Sequence, residues 1–414
     1  MLLLGQLLKS LIRRGTLEVV GPDGILRTYG DGTGKPVVIQ IADHRTARRI
    51  FFNSGLEVGE AFTDGRLIVE KGDIYDLVEL GVSNIGIARH ASGAVERLRY
   101  YARTLGKRAQ QYNPVGIARR NVAHHYDLTG ELYDLFLDAD RQYSCAYYIT
   151  PDDTLEQAQL QKKRHLAAKL LLKPGQRVLD IGSGWGGLAL YLAEVADVEV
   201  TGLTLSEEQF KVATARAAAR GLGDRVKFKL QDYRHETAEY DRIVSVGMFE
   251  HVGVGHYLEY FRKLRQLLRE DGIALLHTIG RADGPGVTNP WIRKYIFPGG
   301  YSPALSEVMP AIERAQLYVT DIEILRLHYA NTLRAWRQRF NQQRERIAQI
   351  FDDRFCRMWE FYLAASEATF RYGGHVNFQI QMSRRLDAVP LIRDYMYEWE
   401  RQQSKAPRRQ DAIA

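Results

Sequence analysis

The chain has 414 residues, of which 45% are hydrophobic and 26% are charged, and its formal net charge is +7. This length and balance exclude a disordered or fibrous chain and allow two domains with sizeable cores. The two cysteines, Cys145 and Cys356, form no disulfide framework and favour a reducing cytosol, and no apolar run reaches the length of a membrane-spanning helix.

Residues 1–14 predict an amphipathic helix, because Leu3, Leu4, Leu7, Leu8, Leu11 and Ile12 share one face. The segment has no basic leader before its leucines and no obvious cleavage site after them, so we do not interpret it as a signal peptide. Such a helix either docks on its own domain or lies in a membrane interface. The sequence leaves both alternatives open.

Residues 1–88 predict a small α+β domain. Strands are expected at 16–20, 25–29 and 37–41, separated by turn-forming Pro and Gly residues, and a helix is expected at 45–53. Residues 89–122 follow as a basic linker. Eight basic residues stand there against one acid, Glu96; they are Arg89, Arg97, Arg99, Arg103, Lys107, Arg108, Arg119 and Arg120. This stretch fits an anionic membrane surface or a solvated face, and no nucleic-acid-reading module accompanies it.

Residues 123–414 predict a third segment, an α/β domain. Strands are expected near 177–181, 198–203, 226–230, 241–246 and 272–278, with helices such as 207–220 and 256–269 between them. Nearly continuous apolar strands that alternate with helices indicate a mostly parallel sheet covered on both faces. Ligands of such sheets bind at the carboxyl ends of the strands.

The first of these strands runs into a glycine-rich turn within residues 178–187. Gly182, Gly184 and Gly186 permit a close approach of backbone to a ligand, although such glycines also serve helix–strand packing. The second strand ends without the acidic residue that a dinucleotide site requires. It runs instead into a helix start with Ser206 as N-cap and Gln209 as its capping-box partner.

Several blocks in this order resemble the bacterial cyclopropane-fatty-acid synthases and the related mycolic acid cyclopropane synthases. They are residues 143–147, 178–187, 204–209, 231–234, 249–253, 276–280 and 289–298. The resemblance implies a class I methyltransferase fold with a Rossmann-like sheet, S-adenosylmethionine as methyl donor, and an N-terminal domain that engages lipid. A segment at 59–65 also resembles that N-terminal domain.

The resemblance also assigns residues to the cofactor. They are Tyr143, Ser144, Asp180, Gly182, Gly184, Gly186, Thr204, Ser206, Gln209, Asp232, Tyr233 and Val246. Tyr143 and Ser144 are expected to close over the methionine end, Gln209 to replace the missing acidic ribose ligand, and Asp232 with Tyr233 to flank the adenine.

Cyclopropane formation requires a base, because an alkene that takes up a methyl group closes a ring only when that methyl group loses a proton. Glu250 and His277 stand at predicted strand ends beside the cofactor. The resemblance implies a bound bicarbonate as proton acceptor, with Cys145, Glu250, His277, the backbone of Ile279, and Tyr329 as its ligands. His251 is expected to point away, and His124 and His125 lack a third ligand, so we expect no metal.

Aromatic residues are frequent in residues 291–372. Phe351, Phe355, Met358, Trp359 and Tyr362 recur at helical spacing, and Trp291, Tyr295, Phe297 and Tyr301 precede them. Such a stripe is typical of plain core. An apolar cavity for a lipid chain is the alternative.

The resemblance implies methylene transfer to the cis double bond of an unsaturated acyl chain of phospholipid, by an enzyme that is cytoplasmic and peripheral to the inner face of the cytoplasmic membrane. Three alternatives remain: a lipid methyltransferase that leaves a methyl or methylene branch, a small-molecule methyltransferase, and a noncatalytic lipid-binding protein. The sequence leaves open whether the protein is a homodimer.

Overall fold

A computed structural model describes residues 1–89 and 130–405 of the protein. Its strands are β1 (Thr16–Val20), β2 (Leu26–Gly30), β3 (Val37–Ile41), β4 (Leu67–Lys71), β5 (Arg177–Ile181), β6 (Glu199–Thr204), β7 (Val226–Leu230), β8 (Tyr240–Val246), β9 (Leu268–Arg281), β10 (Tyr318–Leu325) and β11 (His375–Ser383). Its helices are α1 (Leu2–Leu11), α2 (His44–Phe52), α3 (Ser54–Thr63), α4 (Ile74–Arg89), α5 (Gly130–Phe136), α6 (Leu155–Leu170), α7 (Gly187–Ala196), α8 (Glu207–Ala219), α9 (Tyr257–Leu267), α10 (Pro290–Tyr295), α11 (Leu305–Arg314), α12 (His328–Gln342), α13 (Arg344–Ile350), α14 (Asp353–Tyr372) and α15 (Asp394–Lys405).

The N-terminal part contains a four-stranded sheet in the order β2-β1-β3-β4, in which β1 and β3 are parallel and the other pairs antiparallel. The predicted strands and the predicted helix α2 are confirmed to within one residue. Helix α2 begins at Asp43, whose carboxylate accepts the N–H of Thr46 and so satisfies a free donor of the first turn. Helix α1 packs on α2, α4 and the edge strand β2, with Leu4 and the following Ile12 buried, so the structure shows the docked alternative.

The larger sheet has seven strands in the order β10-β11-β9-β8-β5-β6-β7. The five strands from β9 to β7 are parallel, and β11 and β10 add antiparallel pairs at one edge. The predicted mostly parallel α/β sheet is therefore confirmed. From β5 the chain proceeds outward to β6 and β7 and then returns to the other side of β5 as β8. The order reverses between β5 and β8, which is where such sheets bind ligands.

Apolar side chains of this sheet alternate between two cores, one on each face. Val178 and Val200 pack with α6 and α7 on one face, and Leu179 and Leu203 pack with α9 and α11 on the other. Period-two alternation within nearly continuous apolar strands produces this double coverage. Both faces are thus closed, and the strand ends remain available for a site.

A third core joins the N-terminal part to helices α10, α12 and α14. Within it, Trp359 and Tyr362 of α14 are buried, and Phe355 stacks between Phe351 and Trp359 at ring-centroid distances of 4.1 and 5.6 Å. The aromatic stripe therefore packs as core, as its spacing favours. Phe351 lies in the break between α13 and α14 and not on the longer helix.

The basic linker lies outside the described residues except for Arg89, the last residue of α4. The division into 1–88, 89–122 and 123–414 stays a prediction. Within the described residues, none of the helices combines the length and the apolarity needed to cross a membrane.

Candidate active site

A cavity opens at the carboxyl ends of β5, β6 and β8, beside the glycine turn. Gly182 and Gly184 adopt φ values of 82° and 55°, a region in which only glycine is unstrained. A Cβ on Gly184 would meet no atom within 4 Å, so this turn faces open space. Gly186 is different, because its Cβ would stand 2.7 Å from the ring of Phe228. Gly186 therefore permits packing, the alternative role of such glycines, and does not line the cavity.

The structure brings most of the predicted cofactor residues to this cavity. Its lining includes Tyr143, Ser144, Asp180, Gly182, Gly184, Thr204, Gln209, Asp232, Tyr233 and Val246. Among the predicted cofactor residues, Gly186 and Ser206 are not part of the lining, and neither are the five predicted bicarbonate ligands.

Ser206 is the N-cap of α8, as predicted, and its hydroxyl accepts the N–H of Gln209 at 3.3 Å. The other half of the predicted capping box is wrong. The side chain of Gln209 does not reach back to the backbone of Ser206, because its Oε1 accepts the hydroxyl of Thr204 at 2.8 Å. This contact holds the amide of Gln209 at the cavity wall, with its Nε2 left to donate.

Asp180 closes β5 at the floor of the cavity and is only 1% exposed. Its Oδ2 has no hydrogen-bond partner among the described residues. Burial raises the pKa of Asp180 to about 7, and the nearby charge of Lys162 lowers it only in part. A buried carboxylate without a partner is costly, so this atom is suited to a cationic or hydrogen-donating ligand.

Asp232 caps a 3₁₀ turn at Tyr233–His235 and is held by Arg234, whose Nε and Nη2 donate to its two oxygens at 2.9 and 2.7 Å. Burial raises the pKa of Asp232, but the hydrogen bonds from Arg234 outweigh it and the pKa is lowered overall. Asp232 is therefore an ionised wall of the cavity, and Tyr233 beside it packs its ring edge-on against Tyr260.

Glu250 lies in a 3₁₀ turn, Phe249–His251. Its sequence neighbours Met248, His251 and Val252 line the cavity, and Glu250 itself is buried behind them. The N–H of Ile279 in β9 donates to Glu250 Oε1 at 2.6 Å, while Oε2 has no hydrogen-bond partner among the described residues. Burial raises the pKa of Glu250 to about 7 against the lowering effect of the Ile279 N–H. This carboxyl therefore changes its protonation state near neutral pH.

His277 is buried in β9 between two amides of β11. Its Nδ1 is 3.2 Å from Nε2 of Gln379, and its Nε2 is 3.3 Å from Nδ2 of Asn377. Oε1 of Gln379 in turn accepts Lys169 Nζ at 2.7 Å. Burial holds the pKa of His277 well below its usual value, so the ring is neutral. These contacts place His277 in a polar network with β11 and α6, apart from the contacts of Glu250.

Cys145 and Tyr329 belong to the third apolar core, against which Ile279 also packs. Cys145 is fully buried and its thiol donates to the carbonyl of Ala146 at 3.3 Å. Burial raises the pKa of the Cys145 thiol, so it is uncharged. The ring of Tyr329 packs on Phe370 at 4.6 Å. Ile279, whose N–H donates to Glu250, therefore packs against the same core that contains Cys145 and Tyr329.

The predicted orientation of His251 is wrong, because His251 lines the cavity instead of pointing away. Burial lowers its pKa to about 4, so it is neutral at physiological pH. The side chain of the neighbouring Glu250 points away from the cavity into the protein interior, because consecutive residues of a 3₁₀ turn point to different sides.

Sequence reasoning missed Lys162 and Gln142, which also line the cavity. Lys162 belongs to α6, a helix rich in Lys and Arg, and such a composition is typical of a helix on the protein surface. Lys162 is nevertheless only 1% exposed. The available signal is the spacing, because Lys162 and His165 share a face with Leu166, Ala158 and Leu155, all of them buried. Among the described residues, no group of His, Cys, Asp or Glu is arranged to hold a metal ion.

Known proteins resemble this chain over most of its length. The family described as mycolic acid cyclopropane synthetase matches residues 116–380. A probable fatty acid methyltransferase of Pseudomonas putida is 36% identical over 83% of this chain and 86% of its own length. The cyclopropane-fatty-acyl-phospholipid synthase of Escherichia coli K12 is 37% identical over 85% of this chain and 89% of its own length.

A solved structure is similar as well. It is that of mycolic acid cyclopropane synthase CmaA1 complexed with SAH and CTAB, with a TM-score of 0.62 and 31% identity. The similarity covers 66% of this chain and 99% of that one.

Proposed function

Because this chain belongs to the mycolic acid cyclopropane synthetase family, we propose that it transfers a methylene group from S-adenosylmethionine to the cis double bond of an unsaturated acyl chain in a membrane phospholipid. It is an S-adenosylmethionine-dependent methyltransferase with the fold of class I enzymes. The observation that carries the proposal is the adjacency of the cavity wall at Met248, His251 and Val252 to the buried carboxyl of Glu250.

The cavity fits the donor on two observations of this structure. Gly184 presents backbone to open space, and Asp180 presents a buried oxygen without a partner. Ser144, Asp180 and the glycine turn would hold the amino-acid end, Gln209 the ribose, and Asp232 with Tyr233 the adenine. When bound, S-adenosylmethionine supplies a methyl group that is already electrophilic. The protein therefore has to position it, exclude water and remove a proton.

Glu250 is the proposed centre of proton removal. Its Oε1 is fixed by the Ile279 N–H, and its Oε2 is free of partners among the described residues. A carboxyl with a pKa of about 7 is poised to accept a proton at neutral pH. Its negative charge also stabilises a carbocation that forms on the acyl chain. At about 4 Å and an effective dielectric constant near 20, such a pair is worth roughly 4 kcal/mol.

Bicarbonate as proton acceptor is the second part of the proposal. Glu250 Oε2 is the atom that would hold it, because a protonated Oε2 can donate to an oxyanion. The other predicted ligands fit less well: the Ile279 N–H is already used by Glu250, and both ring nitrogens of His277 face amides. Depletion of bicarbonate in closed, degassed buffer tests this part. A rate that is unchanged on depletion would leave Glu250 as the acceptor.

The proposed path of the acyl chain runs beside the third apolar core and reaches the cofactor cavity at Tyr143. Tyr143 lines the cavity, stacks on Trp336 at 5.1 Å, and shares a hydrogen bond of 2.8 Å between its hydroxyl and that of Tyr362. It therefore forms a boundary between the cofactor cavity and the aromatic side chains of α12 and α14. An apolar chain that enters along these helices would reach the cavity at Tyr143.

The proposed location is the anionic inner surface of the cytoplasmic membrane. The basic residues of 89–120 favour it, since each is worth about 1 kcal/mol near anionic lipid. Charge reversal at Arg97, Arg99 and Arg103 is expected to weaken binding to anionic vesicles more at low salt than at high salt. A loss of binding that does not depend on salt would contradict the electrostatic interpretation.

Incubation with S-adenosylmethionine and vesicles of unsaturated phospholipid tests the main proposal. Mass spectrometry of released acyl chains should show the addition of one CH2 per double bond, and proton NMR should show cyclopropane protons. A branched product would instead indicate the alternative of a lipid methyltransferase that leaves a methyl or methylene branch. Turnover of a small acceptor without vesicles, or no binding of S-adenosylhomocysteine, would contradict the proposal.

A further inference from the structure

Lys162 is a fully buried lysine in the wall of the cofactor cavity. It is 1% exposed, and it extends from α6 towards the segment that carries Tyr143 and Ser144. Burying an ammonium group is costly unless hydrogen bonds compensate for the lost water. Burial lowers the pKa of Lys162 to about 8, and the carboxylates of Asp138 and Asp140 oppose this effect. The group is therefore charged at neutral pH.

The hydrogen bonds of Lys162 determine the polarity of its neighbours. Its Nζ donates to Oε1 of Gln142 at 2.5 Å and to Oγ of Ser144 at 2.8 Å. An ammonium group only donates, so the hydroxyl of Ser144 accepts there and must direct its own proton elsewhere. Gln142 is oriented in the same way, because its Nε2 donates to Asp140 Oδ2 at 3.0 Å.

Ser144 lines the cavity, so its hydroxyl proton is available to a ligand there. Asp180 lines the same cavity and offers the opposite polarity, a buried Oδ2 without a partner among the described residues. One wall of the cavity therefore donates under the positive charge of Lys162, and another offers the carboxyl oxygen of Asp180 as an acceptor, which a cationic ligand would keep ionised. A zwitterion with a carboxylate and an ammonium group on the same carbon atom matches this arrangement.

We propose that Lys162 is a positioning residue, which fixes the Ser144 hydroxyl as a donor to the α-carboxylate of S-adenosylmethionine while Asp180 accepts from its α-ammonium group. The proposal rests on the proposed function, since it takes S-adenosylmethionine as the ligand of this cavity. It assigns a binding task to a residue that makes no contact with the transferred methyl group.

Isothermal titration calorimetry of two ligands tests this role in Lys162→Met. S-adenosylhomocysteine carries the amino-acid zwitterion, whereas 5′-methylthioadenosine has the same nucleoside and thioether but lacks the zwitterion. Hydrogen bonds to charged groups predict that the variant weakens S-adenosylhomocysteine binding by about 10- to 100-fold. Affinity for 5′-methylthioadenosine should change by less than about 3-fold. Lys173→Met removes an exposed lysine just beyond α6 and should change neither.

Equal weakening of both ligands, or no weakening of either, would overturn the role of Lys162. Binding of both ligands to the wild type is measured as well. A wild-type protein that binds neither ligand would contradict the proposed function itself, so the two failures are distinguishable. If Lys162→Met does not fold, as a lost thermal transition would show, Ser144→Ala replaces it. Ser144→Ala should again weaken S-adenosylhomocysteine selectively, and equal affinity to the wild type would overturn the proposal.

The double variant tests whether Lys162 acts through Ser144. If it does, Lys162→Met and Ser144→Ala together should lose less affinity for S-adenosylhomocysteine than the product of the two single losses. Multiplicative losses would show that the two side chains act separately, and would overturn the positioning role.

Discussion

The N–H of Ile279 donates to Oε1 of Glu250 at 2.6 Å, beyond the last paired residues of the ladder between β8 and β9, Val246 and His277. A side-chain carboxylate thus takes the position that a backbone carbonyl would occupy if β8 continued. The contact fixes one oxygen and leaves the other without a partner among the described residues. Glu250 is therefore rigidly placed and still able to exchange a proton.

Glu250→Gln should abolish turnover while it leaves cofactor affinity nearly intact. The amide keeps an oxygen that can accept the Ile279 N–H, but it has no basic form near neutral pH. Loss of a positioned base typically costs 10²- to 10⁴-fold in rate, and we expect kcat to fall by at least about 100-fold. Affinity for S-adenosylhomocysteine, measured by calorimetry, should change by less than about 3-fold.

Glu313→Gln is the matched control for this substitution, because Glu313 is an exposed residue at the end of α11. It should leave both kcat and affinity unchanged. If Glu250→Gln weakens cofactor binding as strongly as it lowers kcat, the assigned role of Glu250 is wrong.

If Glu250 itself accepts the proton, the rate at saturating substrates should rise with pH and level off above about pH 7. Burial raises the pKa of Glu250 to about 7, and the ionised form is then the base, so kcat should follow one ionisation near that value. If protonated Glu250 holds bicarbonate as the acceptor, kcat should instead fall as the pH rises through 7. The pKa of Asp180 is also raised to about 7, but Asp180 is proposed to bind the donor, so its ionisation should affect affinity instead. Measurement of kcat separately from KM distinguishes the two carboxyls.

The same raised pKa predicts an effect on stability. The folded protein retains a proton on Glu250 up to about pH 7, whereas the unfolded chain loses it above its usual value of 4.5. Its contribution to the free energy of unfolding is therefore complete below pH 4.5 and is lost as the pH rises to 7. Glu250→Gln should consequently raise the melting temperature of the ligand-free protein at pH 8. An equal or lower melting temperature at pH 8 would contradict this burial cost.

The parallel sheet and its cofactor edge could be predicted because both follow from local patterns. Apolar runs such as 177–181 fix the strands, and the glycines that follow fix the turn at their ends. The same holds for Ser206, whose capping role depends on residues within one turn of helix.

Positions that depend on distant contacts could not be predicted. His277 contacts Asn377 and Gln379, about one hundred residues away, and only the register between β9 and β11 brings them together. Lys162 resembles any solvated lysine until the segment with Gln142 and Ser144 covers it. The spacing within α6 places Lys162 on the buried face of the helix, but its partners are determined by tertiary packing, which the sequence of α6 does not reveal.

The N-terminal part should contact lipid through apolar side chains at one end. Met1 lies against Gly21 in the turn after β1, so the start of α1 and the turn before β2 are neighbours. Leu2 is 88% exposed there and Ile25 is 55% exposed. Replacing both with Asp should reduce sedimentation with anionic vesicles, because each fully buried leucine or isoleucine side chain gains about 1.5–3 kcal/mol in an apolar environment.

Leu391→Asp is the control for this effect, since Leu391 is a fully exposed leucine near the other end of the chain. It should leave vesicle binding unchanged, and both proteins should melt at the wild-type temperature. Vesicle binding that is equal in the Leu2/Ile25 variant and the wild type would show that this end does not touch lipid.

Gly184→Ala should weaken cofactor binding far more than it lowers stability. A Cβ there would point into the open cavity, where it meets no protein atom within 4 Å but takes space that the ligand needs. Gly184 has a positive φ of 55°, so alanine also costs roughly 1–2 kcal/mol of backbone strain. Gly175→Ala imposes similar strain at φ 77° in an exposed turn, likewise with no atom within 4 Å. We expect comparable losses of melting temperature in the two variants, with an affinity loss for S-adenosylhomocysteine of at least about 10-fold in Gly184→Ala alone. Equal affinities would mean that the ligand does not approach the turn at Gly184, and the cofactor would then have to bind elsewhere along the edge of the sheet.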